Sequence, residues 1–159
     1  MSTDLDPVRR LRVMAAATPG GVLLERVIPL PFATVWAVLE DLEGELPRYQ
    51  PYVRILRVTP GEGDRLRALA LGRAGLRGDF DGVQRSGWCW MQSRYITFGL
   101  AAVEVPGGTL VGRAGSSRRP LLRALLAPLL RRAFARELDV IETRARARTP
   151  PSHKNGDPQ

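Results

Sequence analysis

The sequence predicts an α+β domain in which a meander of antiparallel strands is closed by one long C-terminal helix, with two short helices after the first strand. Residues 120–148 form the longest stretch with helical periodicity. At about 3.6 residues per turn, Leu122, Leu126, Leu130, Ala133, Phe134, Val140 and Ile141 share one broad sector. Arg131, Arg132, Arg136, Asp139, Glu142 and Arg146 fall outside it. The segments before this helix alternate as strands and are joined by turns as short as Ser86-Gly87. Connections of that length join antiparallel neighbours and leave no room for crossover helices.

Each element follows from local signals. Residues 1–19 read as an extension, with Pro7 starting a short basic helix through Ala17 and Thr18-Pro19-Gly20-Gly21 ending it. The main domain then covers 20–148. Val22 to Leu30 is a first strand rich in Val, Leu and Ile. Pro31 stops it and opens an amphipathic helix bearing Val35, Trp36, Val38 and Leu39, and a second helix or turn covers Leu42 to Tyr49. Tyr52 to Thr59 and Arg65 to Leu71 pair across Pro60-Gly61-Glu62-Gly63-Asp64. Leu76 to Arg85 follows, then an aromatic run from Trp88 to Val105 with Gly99 as a bulge or break, then Thr109 to Ser116 after Pro106-Gly107-Gly108. Pro128 predicts a kink in the long helix or a fresh start near it. The Pro-rich polar tail, 149–159, is expected to be disordered.

Composition bounds the function. With 159 residues and 44% hydrophobic content the chain can bury a core without a disulfide or metal. One cysteine, Cys89, and one histidine, His153, do not make a zinc site, so no metal and no cofactor is expected. A lone cysteine fits a reducing cytoplasm. No apolar run approaches membrane-spanning length, and the apolar core that follows Arg9 is too short for a secretory signal. The net charge of +8 comes almost entirely from Arg scattered among Asp and Glu, which reads as a solvated surface and not as a specific nucleic-acid site. Docking of that Arg-rich surface on an anionic partner is the alternative.

Four stretches carry a likeness to a known family: Ile28 to Leu39, with its Val35-Trp36 pair; Leu46 to Val53; Val103 to Val111, with its Gly-Gly-Thr turn; and Leu121 to Ile141. In these the chain resembles the START-like, helix-grip superfamily, also called SRPBCC, nearest to its polyketide cyclase/dehydrase branch. The resemblance implies a curved antiparallel sheet of about seven strands gripping the long helix, with a cavity between them for a lipophilic ligand. It implies binding of a lipid, aromatic or polyketide-like molecule, with polyketide cyclase or dehydratase activity left open; a monomer or homodimer is expected.

Strand alternation nominates the lining. If the charged residues of each strand face water, Leu66, Ala68, Ala70, Phe80, Gly82 and Gln84 face inward. An outward Arg113 likewise turns Leu110, Gly112 and Ala114 inward, and an outward Glu104 does so for Val103 and Val105. The ligand-binding candidates are therefore Phe80, Gln84, Val103 and Leu110, with Leu130 and Phe134 from the helix. Trp88, Trp90 and Tyr95 join them as aromatic surfaces for a planar ligand. Glu137 projects from the apolar sector of the helix and is the candidate catalytic residue: a carboxylate in a cavity can act as general acid or base. The competing reading makes Glu137 half of a buried pair with an Arg from the sheet.

Overall fold

A computed structural model describes residues 5–149. Strands β1 (Val22–Ile28), β2 (Val53–Pro60), β3 (Arg65–Gly72), β4 (Arg77–Arg85), β5 (Trp88–Gln92), β6 (Ile96–Val105) and β7 (Gly108–Ser117) form one antiparallel sheet in the order β1-β7-β6-β5-β4-β3-β2. The first two strands are thus opposite edges. Helices α2 (Phe32–Glu40) and α3 (Leu46–Tyr49) carry the chain from one edge to the other. The meander then returns to place β7 against β1, with Leu24 facing Arg113 in register. Helix α4 (Pro120–Arg148) lies across the concave face. Leu138, Ile141 and Ala145 of α4 pack with Val35, Val38 and Leu39 of α2 and with Leu100, Ala102 and Val111 of the sheet. Among the described residues no helix is long and apolar enough to cross a membrane.

Strand boundaries agree with the expected ones to within two residues, except in the aromatic run. That run breaks at a turn over 93–95, where Ser93 Oγ accepts the backbone N–H groups of Tyr95 and Ile96. Gly99 lies inside β6, and its missing side chain serves packing: a Cβ there would stand 2.7 Å from Leu11 Cδ1 and 2.9 Å from the Trp90 ring. Gly112 on β7 is shaped by the same leucine, at 2.8 Å from Cδ2.

Leu11 belongs to α1 (Pro7–Ala17), which packs on the convex face of β6 and β7. Asp6 caps its start, accepting the N–H of Arg9, and Arg12 grips Glu25 of β1 through two hydrogen bonds of 2.5 and 2.8 Å. Val8, Leu11 and Ala15 are buried against Trp88, Ala101 and Ala114, with Trp90, Val103 and Leu110 around them. The part of the chain read as an extension therefore forms a second layer over the back of the sheet. Residues 1–4 and 150–159 lie outside the described residues, and with them nearly all of the expected disordered tail and His153.

This second layer corrects the assignment of strand faces. Trp88, Trp90, Val103 and Leu110 point to the convex side, beneath α1, and not to the concave face where the cavity was expected. For Leu110 the cause is Arg113. The charge of Arg113 predicts an outward side chain, yet that side chain is only 3% exposed and points inward. Its neighbours in sequence accordingly point outward. On β3 and β4 the expected alternation is observed, with Leu66, Ala68, Ala70 and Phe80 facing the core. Helix α4 runs from Pro120 to Arg148 as one element, so Pro128 does not restart it; the proline deprives the Ala124 carbonyl of its intrahelical donor.

Leu11 is fully buried in the seat made by the two glycines. Leu11→Ala should cost about 2–5 kcal/mol, as expected of a core leucine. A urea denaturation midpoint unchanged by the substitution would show that α1 is not part of the folded unit.

A cavity with one buried ion pair

Between α4 and the concave face lies a cavity of about 290 Å³. Its walls are mostly apolar: Leu56, Ala70, Phe80 and Met91 from the sheet, Leu126, Leu130, Ala133 and Phe134 from α4. Tyr52 and Ile96 also line it while remaining 67% and 45% exposed, which marks its opening to solvent. The size sits at the lower end of the range of about 300–1,000 Å³ usual for small-molecule sites.

The polar part of the wall is concentrated. Arg113, near the centre of β7, donates from Nε to Glu137 Oε2 at 2.5 Å. Gln50, just beyond α3, donates from Nε2 to Glu137 Oε1 at 2.9 Å. Both carboxylate oxygens are therefore engaged. The Arg113 guanidinium also donates to the Ala114 carbonyl and is sandwiched between the rings of Phe98 and Phe134, each centroid 4.1 Å from Cζ. Two aromatic faces, a carboxylate and a carbonyl satisfy a charge that burial alone would make costly. Gln50 Oε1, in contrast, is buried with no hydrogen-bond partner among the described residues. An acceptor left in that state costs about 1–3 kcal/mol. Elsewhere on the wall, the buried Thr97 and Ser116 hydroxyls share a hydrogen bond of 2.8 Å.

A second cluster fixes α3, and with it Gln50. Arg144 of α4 binds Glu45 bidentately at 2.9 and 3.0 Å, and Arg148 adds a contact of 2.8 Å. These hydrogen bonds, that from Arg144 foremost, lower the Glu45 carboxyl to about 2. Cys89 is buried in the core, and burial pushes its thiol up to about 12, so it is no thiolate nucleophile near neutral pH. No group of residues suited to hold a metal ion occurs among the described residues.

Of the residues nominated from sequence, Phe80, Leu130, Phe134 and Glu137 meet at this cavity. Gln84 does not: it faces α2 and donates from Nε2 to the Glu40 carbonyl at 2.9 Å, because it lies at the opposite end of β4 from the cavity. Tyr95 is 44% exposed on the β5–β6 turn, its ring flanked by the guanidinium groups of Arg119 and Arg94. Gln50 and Arg113 were not nominated. A signal for Arg113 was present: it stands alone among Val111, Gly112, Ala114 and Gly115, as Glu137 stands alone on an apolar helix face. Two isolated opposite charges on elements that must pack together are most cheaply buried as a pair. Gln50 carries no such signal in the sequence.

The same architecture occurs in solved structures. The fold matches TTHA0849 from Thermus thermophilus with a TM-score of 0.58 and 22% identity, over 80% of this chain and 97% of that one. It matches StfQ, a di-domain ARO/CYC protein of the steffimycin biosynthetic pathway, with a TM-score of 0.66 and 11% identity. That match covers 86% of this chain and 54% of the longer StfQ chain. The Zhui aromatase/cyclase of a Streptomyces species matches with a TM-score of 0.60 and 13% identity, over 80% of this chain and 94% of that one.

The chain has the helix-grip fold. At these identities the likeness is one of fold. No family model and no curated protein matches the sequence. In helix-grip terms, the Arg113–Glu137 pair joins the gripping sheet to the gripped helix across one end of the cavity.

Removing one member of such a pair strands the other. Arg113→Met and Glu137→Leu should each lower stability by about 3–5 kcal/mol, while the double variant regains most of the loss. Urea denaturation of the three variants tests this; additive losses would mean that the charges are not coupled.

Proposed function

We propose that this domain binds a hydrophobic small molecule in the cavity between α4 and the sheet, with a hydrogen-bond donor of the ligand directed to Gln50 Oε1. The observation that carries this reading is a mostly apolar cavity in which the polar cluster around Glu137 holds an acceptor, Gln50 Oε1, unpartnered among the described residues. Apolar walls supply most of the binding free energy through burial, and one or two polar groups fix orientation. Phe80, Leu130 and Phe134 are the wall residues and Gln50 the orienting one. Glu137 acts through Gln50: by accepting the amide N–H it turns Oε1 toward the ligand. Trp88, Trp90, Val103 and Leu110 serve the packing of α1. The shared fold with two proteins described as aromatase/cyclases supports the class of ligand, a lipid, aromatic or polyketide-like molecule.

A second reading makes the domain a cyclase or dehydratase for a polyketide-like chain. It is favoured by the same two neighbours and by the presence of Arg113 and Glu137 in the cavity wall. In that reading Glu137 exchanges a proton with the substrate, and Glu137→Gln abolishes turnover while ligand is still bound.

The binding reading is tested with a neutral lipophilic fluorophore carrying a donor group, such as aminoanthracene. Its emission should shift to the blue on binding, Leu130→Trp should remove the shift by filling the cavity, and Gln50→Leu should weaken binding by about tenfold. Absence of binding, or binding indifferent to Leu130→Trp, would refute the proposal.

A further inference from the structure

The first half of α4 carries an unusual surface. Leu121, Leu125 and Leu129 are 91%, 72% and 58% exposed, at a spacing that puts them on one helical face. No other element of the described chain exposes a run of large apolar side chains at helical spacing. The same face continues with the exposed Arg132 and Arg136. Every charged residue from Arg118 to Arg136 is an arginine: positions 118, 119, 123, 131, 132 and 136. The next carboxylate, Glu137, is buried against Arg113 and offers no neutralising charge at the surface. Beside the start of α4, Arg119 stacks on the half-exposed Tyr95, and Arg118 donates to the Ser93 carbonyl at 2.8 Å. An aromatic ring and a basic rim thus adjoin the leucine stripe.

Single exposed leucines need no explanation, but a stripe rimmed by one sign of charge does. We infer that this face is a docking surface for an anionic lipid bilayer. The leucines would enter the boundary between headgroups and acyl chains, and the arginines would meet lipid phosphates. The chemistry disfavours a second copy of the chain as the occupant. A two-fold interface brings the same patch of both partners together and would set one arginine collar against the other. Nucleic acid would engage the arginines but leave the leucines in water. The docked helix also carries Leu126 and Leu130 of the cavity wall on its adjoining face, so the bilayer would lie beside the cavity.

Flotation with vesicles tests the inference without reference to any cavity ligand. The protein should bind vesicles of phosphatidylcholine mixed with phosphatidylglycerol and should not bind phosphatidylcholine alone. Each arginine replaced among Arg131, Arg132 and Arg136 should weaken binding by about fivefold. Each leucine replaced by serine at 121, 125 or 129 should weaken it by about tenfold. These side chains are exposed, so the thermal midpoint and fluorophore binding of the variants serve as controls for folding. Failure to bind anionic vesicles would overturn the inference. So would vesicle binding that ignores the leucine substitutions, which is adsorption by charge alone. A concentration-dependent dimer abolished by the same leucine substitutions, without vesicle binding, would overturn it in favour of self-association.

Discussion

The structure depends on one charge pair buried where the sheet meets its helix. Arg113 and Glu137 are each nearly excluded from solvent, and among the described residues each makes its one ion pair with the other. Ions removed from water at such cost tolerate little misalignment, so their contact sets the rotation of α4 about its axis. That rotation decides the other faces of the helix. It directs Leu126, Leu130, Ala133 and Phe134 to the cavity, leaves Leu121, Leu125 and Leu129 in solvent, and brings Asp139 to Arg26 at the edge of the sheet. Near the end of the helix, Arg144 and Arg148 hold Glu45 and so anchor α3, which delivers Gln50 to Glu137. The cavity's polar end is thus assembled from sheet, helix and connecting loop.

The sheet has to serve two layers at once. α4 covers the concave side of β6 and β7, and α1 covers their convex side, with Leu11 seated over Gly99 and Gly112. Strands buried on both faces lose the apolar-polar alternation that reveals orientation. Toward β2 and β3 only the concave side is covered, and the alternation survives there. The cavity opens where Tyr52, just before β2, and Ile96, at the start of β6, reach solvent.

That division explains what the sequence disclosed. The elements were legible because their signals are local: turn glycines, strand alternation and the long periodic helix. The family likeness then supplied the curvature and the grip. The cavity residues contributed by α4 and β4 were legible too, because a helical stripe and an alternating strand each name their own buried face. Orientation on β5, β6 and β7 was not: on β7 it hinged on Arg113, whose burial is a property of the pairing and not of the residue, and on β5 and β6 on the cover that α1 gives the convex face. A rule that sends charges outward assigned Val103 and Leu110 to the wrong side of the sheet, and Trp88 and Trp90, nominated for their rings, lie on that same convex side. α1 was legible as a helix, but the glycines that receive it are distant in sequence, and Gly99 looked like a strand break. Gln50 could be recognised only from the position of Glu137 in space.

The most direct test of the account is to locate bound aminoanthracene by intermolecular nuclear Overhauser effects in the intact protein. Contacts are expected from the probe's ring protons to the methyl groups of Leu126 and Leu130 and to the rings of Phe80 and Phe134. Contacts to the indoles of Trp88 and Trp90 instead would place the ligand on the other side of the sheet and contradict it.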